Sequence, residues 1–113
     1  MAASIFTGRA TGGGALASTF TPSSATGGQH QLREVRLHLS AASATEENFT
    51  ITIDSNAGAA YDLLLFRQDM DEWTDVHETY NPPVILQPGD SLVCAWPNTD
   101  QRTYGLELIW EGI

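Results

Sequence analysis

The residues best suited to chemistry cluster in an acidic stretch at 69–80, DMDEWTDVHETY. Asp69, Asp71 and Asp75 occupy the first, third and seventh places of a calcium-loop pattern, where carboxylates at the first two and a backbone carbonyl at the seventh ligate the ion. The sixth place, which needs glycine for a sharp turn, holds Thr74, and the twelfth, which needs a bidentate glutamate, holds Tyr80. The stretch is therefore not an EF-hand. Asp69, Asp71 and Asp75 stay weak candidates for a looser oxygen cage, against the plainer expectation of a solvated acidic loop. Trp73, set among these acids, is the candidate for stacking on a sugar ring or another ligand.

Other reactive side chains are scattered. His30 and His38, on one extended strand, stand roughly 26 Å apart and cannot share a metal within the chain. No Gly-x-Ser-x-Gly elbow accompanies any of the three histidines, so a serine hydrolase is not expected. Cys94 is the single cysteine, which excludes an intrachain disulfide and a cysteine-rich zinc site. It lies between Leu92 and Trp96 in strand alternation, so a buried, inert thiol is expected. The run 12–14, three glycines, has no strand before it and no lysine after it, and does not read as a nucleotide-binding loop. Asn48-Phe49-Thr50 matches a glycosylation sequon, a frequent chance match.

Charge narrows the function further. The 113 residues carry 14 acids against 5 basic residues, all arginine, for a net charge of -9. The absence of lysine excludes Walker-type phosphate loops, Schiff-base chemistry and a lysine general base. Nucleic acid and anionic membrane surfaces attract clustered positive charge, so neither is an expected partner. No stretch reaches the about 18 apolar residues of a membrane-spanning helix. The start of the chain lacks the basic and apolar regions of a secretory signal, and the expectation is a soluble protein not exported by the ordinary route.

The elements that must position these residues read as strands. Residues 83–113 hold two of the clearest. Leu92, Cys94 and Trp96 share one parity after the Pro88-Gly89-Asp90 turn, and Tyr104, Leu106, Leu108 and Trp110 share one parity in the last run. Both are expected at the centre of a β-sandwich. Upstream, Val35, Leu37, Leu39 and Ala41 alternate with polar residues, as do Phe49, Ile51 and Ile53. Residues 63–66, Leu-Leu-Leu-Phe, form an unbroken apolar run, which predicts a strand covered on both faces, central or at an interface. A short edge strand is expected near residues 76–80, stopped by Asn81-Pro82-Pro83.

Residues 1–28 differ in material, being mostly Ala, Gly, Ser and Thr. The expected organisation is a flexible N-terminal arm over residues 1–28 and a β-sandwich or jelly-roll domain over 29–113, with a strand or two conceivable in the arm. Phe6, Leu16 and Phe20 are the arm's expected anchors on a neighbouring subunit.

The segment FTITIDSNAGAAYDLLLF, followed at the C-terminus by LQPGDSLVCAWPNTDQRTYGLELIW, resembles small all-β proteins encoded among the head and tail genes of tailed bacteriophages. The resemblance spans about residues 33–113 and carries no catalytic signature. It implies a virion structural protein, assembled in the host cytoplasm, and foremost a capsid decoration (cement) protein seated as a homotrimer on the assembled head. Its partners would be the major capsid protein or other virion subunits. A head-completion or tail-associated protein is the alternative within that class, and a carbohydrate-binding or adhesion module the alternative outside it. Neither enzymatic activity nor a cofactor is expected.

Overall fold

The structure, a computed structural model, describes residues 5–22 and 28–112. Its strands are β1 (Ile5–Gly12), β2 (Leu16–Phe20), β3 (His30–Leu39), β4 (Asn48–Asp54), β5 (Leu63–Asp69), β6 (Asp75–Leu86), β7 (Ser91–Trp96) and β8 (Tyr104–Gly112). They form two four-stranded antiparallel sheets, ordered β1-β8-β3-β6 and β2-β7-β4-β5. This is the strand order of a jelly roll, in which the chain crosses repeatedly between two packed sheets.

The alternation in β7 and β8 has the predicted consequence. Each lies inside its sheet, β8 between β1 and β3, and β7 between β2 and β4. Their inward residues, Leu92, Cys94, Trp96, Leu106 and Leu108, meet Phe49 and Ile51 of β4 and Val35 and Leu37 of β3 in one core. Central strands bury an apolar face and satisfy their backbone on both sides, which is why the strongest alternation falls there.

In β3 the phase of the alternation changes. Leu32 and Val35 are both fully buried because the pairing with β6 and β8 shifts register between Leu32 and Glu34. An extra residue in one strand turns the side chains after it to the opposite face, so the inward set runs His30, Leu32, then Val35, Leu37, Leu39.

Residues 81–83 do not stop β6, contrary to expectation. The strand continues to Leu86, with the two prolines falling where its register with β3 jumps from Thr79 to Val84. It is the edge of its sheet, so the missing proline N–H groups interrupt no second ladder.

The N-terminal arm is a correction of a larger kind. Ile5–Gly12 pairs along its length with β8, and Leu16–Phe20 with β7, so residues 5–20 supply an edge strand to each sheet. The domain boundary at residue 28 is withdrawn for these strands. Residues 1–4 and 23–27 of the expected arm lie outside the described residues. Small residues mislead here because they make room for large neighbours. A Cβ added to Gly8 would stand 2.7 Å from Phe20 Cδ1 and 2.7 Å from Trp110 Cη2, so only glycine lets β1 lie under these rings.

β5 is also corrected. Its apolar run does not sit at the centre of a sheet but at the edge beyond β4, and Leu63 and Leu64 are exposed. Leu65 and Phe66 turn toward the core, Phe66 meeting Phe49 with ring centroids 6.0 Å apart.

Candidate functional surfaces

The residues singled out from the sequence do not converge. Asp69 ends β5 and its Oδ1 accepts from the Asp71 N–H at 3.0 Å. Asp71 forms an isolated bridge with Ser43. Asp75, at the start of β6, accepts from His38 Nδ1 at 2.5 Å and from Thr74 Oγ1 at 3.1 Å. The carboxylates of Asp69 and Asp75 thus have separate local partners, Asp71 is held through its backbone, and among the described residues no three His, Cys, Asp or Glu side chains are placed to hold a metal ion. Trp73 is 47% exposed in the turn between β5 and β6, unaccompanied by a second exposed ring on that turn.

Phe6, Leu16 and Phe20, expected to grip a neighbour, pack into their own sandwich. Leu16 is fully buried, Phe6 meets the buried His30 edge-on at 5.9 Å, and Phe20 lies 6.4 Å from the Trp110 ring. In β1 the inward positions after Phe6 are Gly8, Ala10 and Gly12, and in the five-residue β2 Ser18 separates Leu16 from Phe20, so the apolar alternation that reveals a strand is diluted. Cys94 is buried as expected, and loss of solvation pushes its thiol up to about 12. That thiol is no nucleophile at neutral pH.

The outer face of the β1-β8-β3-β6 sheet gathers charges that lie far apart in sequence. Register sets Arg9, Glu107, Arg36 and His77 in one row across the four strands. The next row sets Thr11, Gly105, His38 and Asp75 side by side. Between and around these residues lies a shallow hollow of about 790 Å³, with Gly105 leaving open space on its floor. Glu107 accepts from Arg9 Nε at 2.6 Å and Arg36 Nη1 at 3.0 Å, while Glu34 accepts from His77 Nε2 at 2.8 Å and Arg36 Nη2 at 3.3 Å. Every charge in the two rows is therefore answered within the fold.

These contacts hold carboxyls below their ordinary range. The His77 hydrogen bond does so for Glu34, the Arg9 hydrogen bond for Glu107, and the His38 hydrogen bond for Asp75. Asp100 is lowered by the Ala44 N–H it accepts, with Ser43 and Thr45 adding to the effect. A carboxyl lowered in the folded state adds stability above its unfolded value and loses it as pH falls through the folded value. Thermal unfolding should thus shift to progressively lower temperature below about pH 4, less steeply in molar salt, which screens exposed pairs. A melting temperature unchanged down to about pH 2.5 would show that the carboxylate contacts contribute nothing.

At one end of the sandwich, the loops are fastened by polar side chains. Asn98, buried in the β7–β8 loop, donates through Nδ2 to Gly14 O at 2.8 Å and Arg102 O at 2.9 Å, and its Oδ1 accepts from Arg102 N at 2.9 Å. Glu47 accepts from Thr99 N and Thr99 Oγ1, at 3.0 and 2.6 Å, and Asp100 accepts from Ala44 N at 2.8 Å. At the other end Asp90 accepts from Asn56 N and Gln87 N, both at 2.9 Å, closing the turn before β7. The only cue in the sequence is short polar residues beside strand ends, a pattern common to ordinary turns.

Among the described residues the exposed large apolar side chains are Ile5, Tyr61, Leu63, Leu64, Trp73 and Ile85, and three of them fall around β5. Tyr61, Leu63 and Leu64 are 69%, 54% and 49% exposed, forming an apolar corner where the 3-10 turn (Ala59–Tyr61) meets the free edge of the β2-β7-β4-β5 sheet. A folded monomer gains nothing by showing three large apolar side chains together, and such patches mark contact surfaces.

The chain matches no protein-family model, and no curated protein is similar to it at a significant level.

Proposed function

We propose that this chain is a non-catalytic virion structural protein of a tailed bacteriophage, a capsid decoration subunit that seats on assembled coat protein. The observation that carries the reading is the exposed corner at Tyr61 and Leu63, set on a small sandwich whose charged groups on the opposite sheet are mutually paired. A decoration protein must fold before it meets its shell and then attach through a preformed patch. The rigid edge of a jelly roll provides this without ordering a tail at the moment of binding, so little conformational entropy is lost. The resemblance of residues 33–113 to phage head and tail proteins supports the same class. The high negative charge suits a subunit that stays clear of packaged DNA.

The test is co-sedimentation with undecorated heads. Tyr61→Ser combined with Leu63→Ser should weaken attachment at least about tenfold, since each exchange removes part of a large apolar contact, while the circular-dichroism spectrum stays unchanged. Unaltered binding by the double variant would exclude this corner as the contact. Absence of binding by the unaltered chain would remove the decoration reading.

A further inference from the structure

From the outer face of the β2-β7-β4-β5 sheet, we infer that a second copy of this chain docks there about a two-fold axis. Register sets Thr19, Val93, Thr52 and Leu64 in one row across the four strands, and Ala17, Ala95, Thr50 and Arg67 in the neighbouring row. In a chain of net charge -9 these two rows carry small or apolar side chains apart from Arg67. Charge enters only toward the rim, at Arg67, Asp54 and Asp69.

Those charges are arranged in a self-complementary way. Arg67 and Asp54 lie on adjacent strands, one row to either side of the row that holds Thr52 and Leu64, because Thr50 pairs with Arg67 and Ser91 with Asp54. Neither side chain has an ion pair or hydrogen bond among the described residues, whereas the Asp69 carboxylate is taken up by the Asp71 N–H. Arg9, Arg33 and Arg36, by contrast, each meet a carboxylate.

A two-fold axis running along the Thr19–Val93–Thr52–Leu64 row exchanges the two flanking rows. Arg67 of each copy then faces Asp54 of the other, offset sideways by one strand spacing of about 4.8 Å, within reach of an arginine side chain between sheets about 10 Å apart. The same operation stacks Val93 and Leu64 against their own symmetry mates, as an isologous contact requires. The opposite sheet offers no such surface, since its charges are already paired within the chain. Four strands span only about 14 Å, so the buried area falls at the low end of specific interfaces and the association is weak, with a dissociation constant on the order of 100 µM. This contact takes up Leu64 of the β5 corner, and it does not depend on the virion reading.

Sedimentation equilibrium of the full chain over roughly 10–500 µM tests it. A monomer–dimer equilibrium is expected. Arg67→Asp and Asp54→Arg should each weaken it about tenfold or more by setting like charges opposite one another, and the two exchanges combined should restore it to within about threefold. Circular dichroism establishes that each variant is folded, and Val93→Arg provides a second disruption independent of the ion pair. A chain that stays monomeric throughout the range overturns the inference. So does an oligomer of any size whose stability ignores all four variants.

Discussion

A chain that begins at residue 29 should not fold. Removing residues 1–28 takes away β1 and β2, the outer neighbours of β8 and β7, and so turns two inner strands of the sandwich into open edges. The loss is also one of core. Leu16 is fully buried, while Phe6 and Phe20 cover His30 and Trp110. At about 1.5–3 kcal/mol for a fully buried large apolar side chain, and roughly half of that for the half-buried Phe6 and Phe20, these three contribute about 3–6 kcal/mol, a large share of the about 5–15 kcal/mol that stabilises a whole domain. The truncated chain should therefore show no cooperative urea transition and should aggregate through the freed edges of β7 and β8. A sharp transition with the full chain's β spectrum would mean that the N-terminal strands are dispensable. Phe20→Ala should give a partial version of the same effect through the loss of its contact with Trp110.

Asn98→Ala should be the most damaging exchange of a single polar side chain. It removes three hydrogen bonds at once and leaves Gly14 O, Arg102 O and Arg102 N to find other partners in a crowded loop. The expected cost is about 3 kcal/mol, read as a lower urea midpoint with an unchanged slope. Asn98 also sits at a φ of 50°, which asparagine tolerates better than alanine. Asn98→Gly separates the two contributions, since it relieves the backbone but loses the same hydrogen bonds. It should recover less than about 1 kcal/mol of the loss. Full recovery would place the effect in the backbone and deny the fastening role.

The strands that could be read from the sequence were those in which burial and parity coincide without interruption. β4, β7 and β8 have apolar residues at every second place, and each is an inner strand of its sheet. Legibility failed where the physical cause lies in another strand. Gly8 is required by the Phe20 and Trp110 rings, and nothing local to residues 5–12 announces those rings. The shift between Leu32 and Glu34 depends on the register of β3 against both neighbours. Residues 63–66 mark a strand but not its position, because an apolar run serves equally well in a buried centre or at an exposed contact edge.

The candidate surfaces were still less legible. Arg9, Glu107, Arg36 and His77 are separated by as much as 98 positions in the chain, and only the jelly-roll order lays them side by side. Asp69, Asp71 and Asp75 drew attention because they are close in sequence, yet the fold gives each of them a different backbone or side-chain partner. Proximity along the chain says little about chemistry when strands carry alternate residues to opposite faces.

Electron cryo-microscopy of undecorated phage heads, with and without the added protein, tests the functional reading most directly. The account predicts additional density at regular positions on the outer shell, fitted by a sandwich of about 45 × 31 × 23 Å with the Tyr61 and Leu63 corner against the coat. Heads that show no added ordered density at saturating protein, or density that meets the shell through the Arg9 and Arg36 face with Tyr61 turned to solvent, would contradict it.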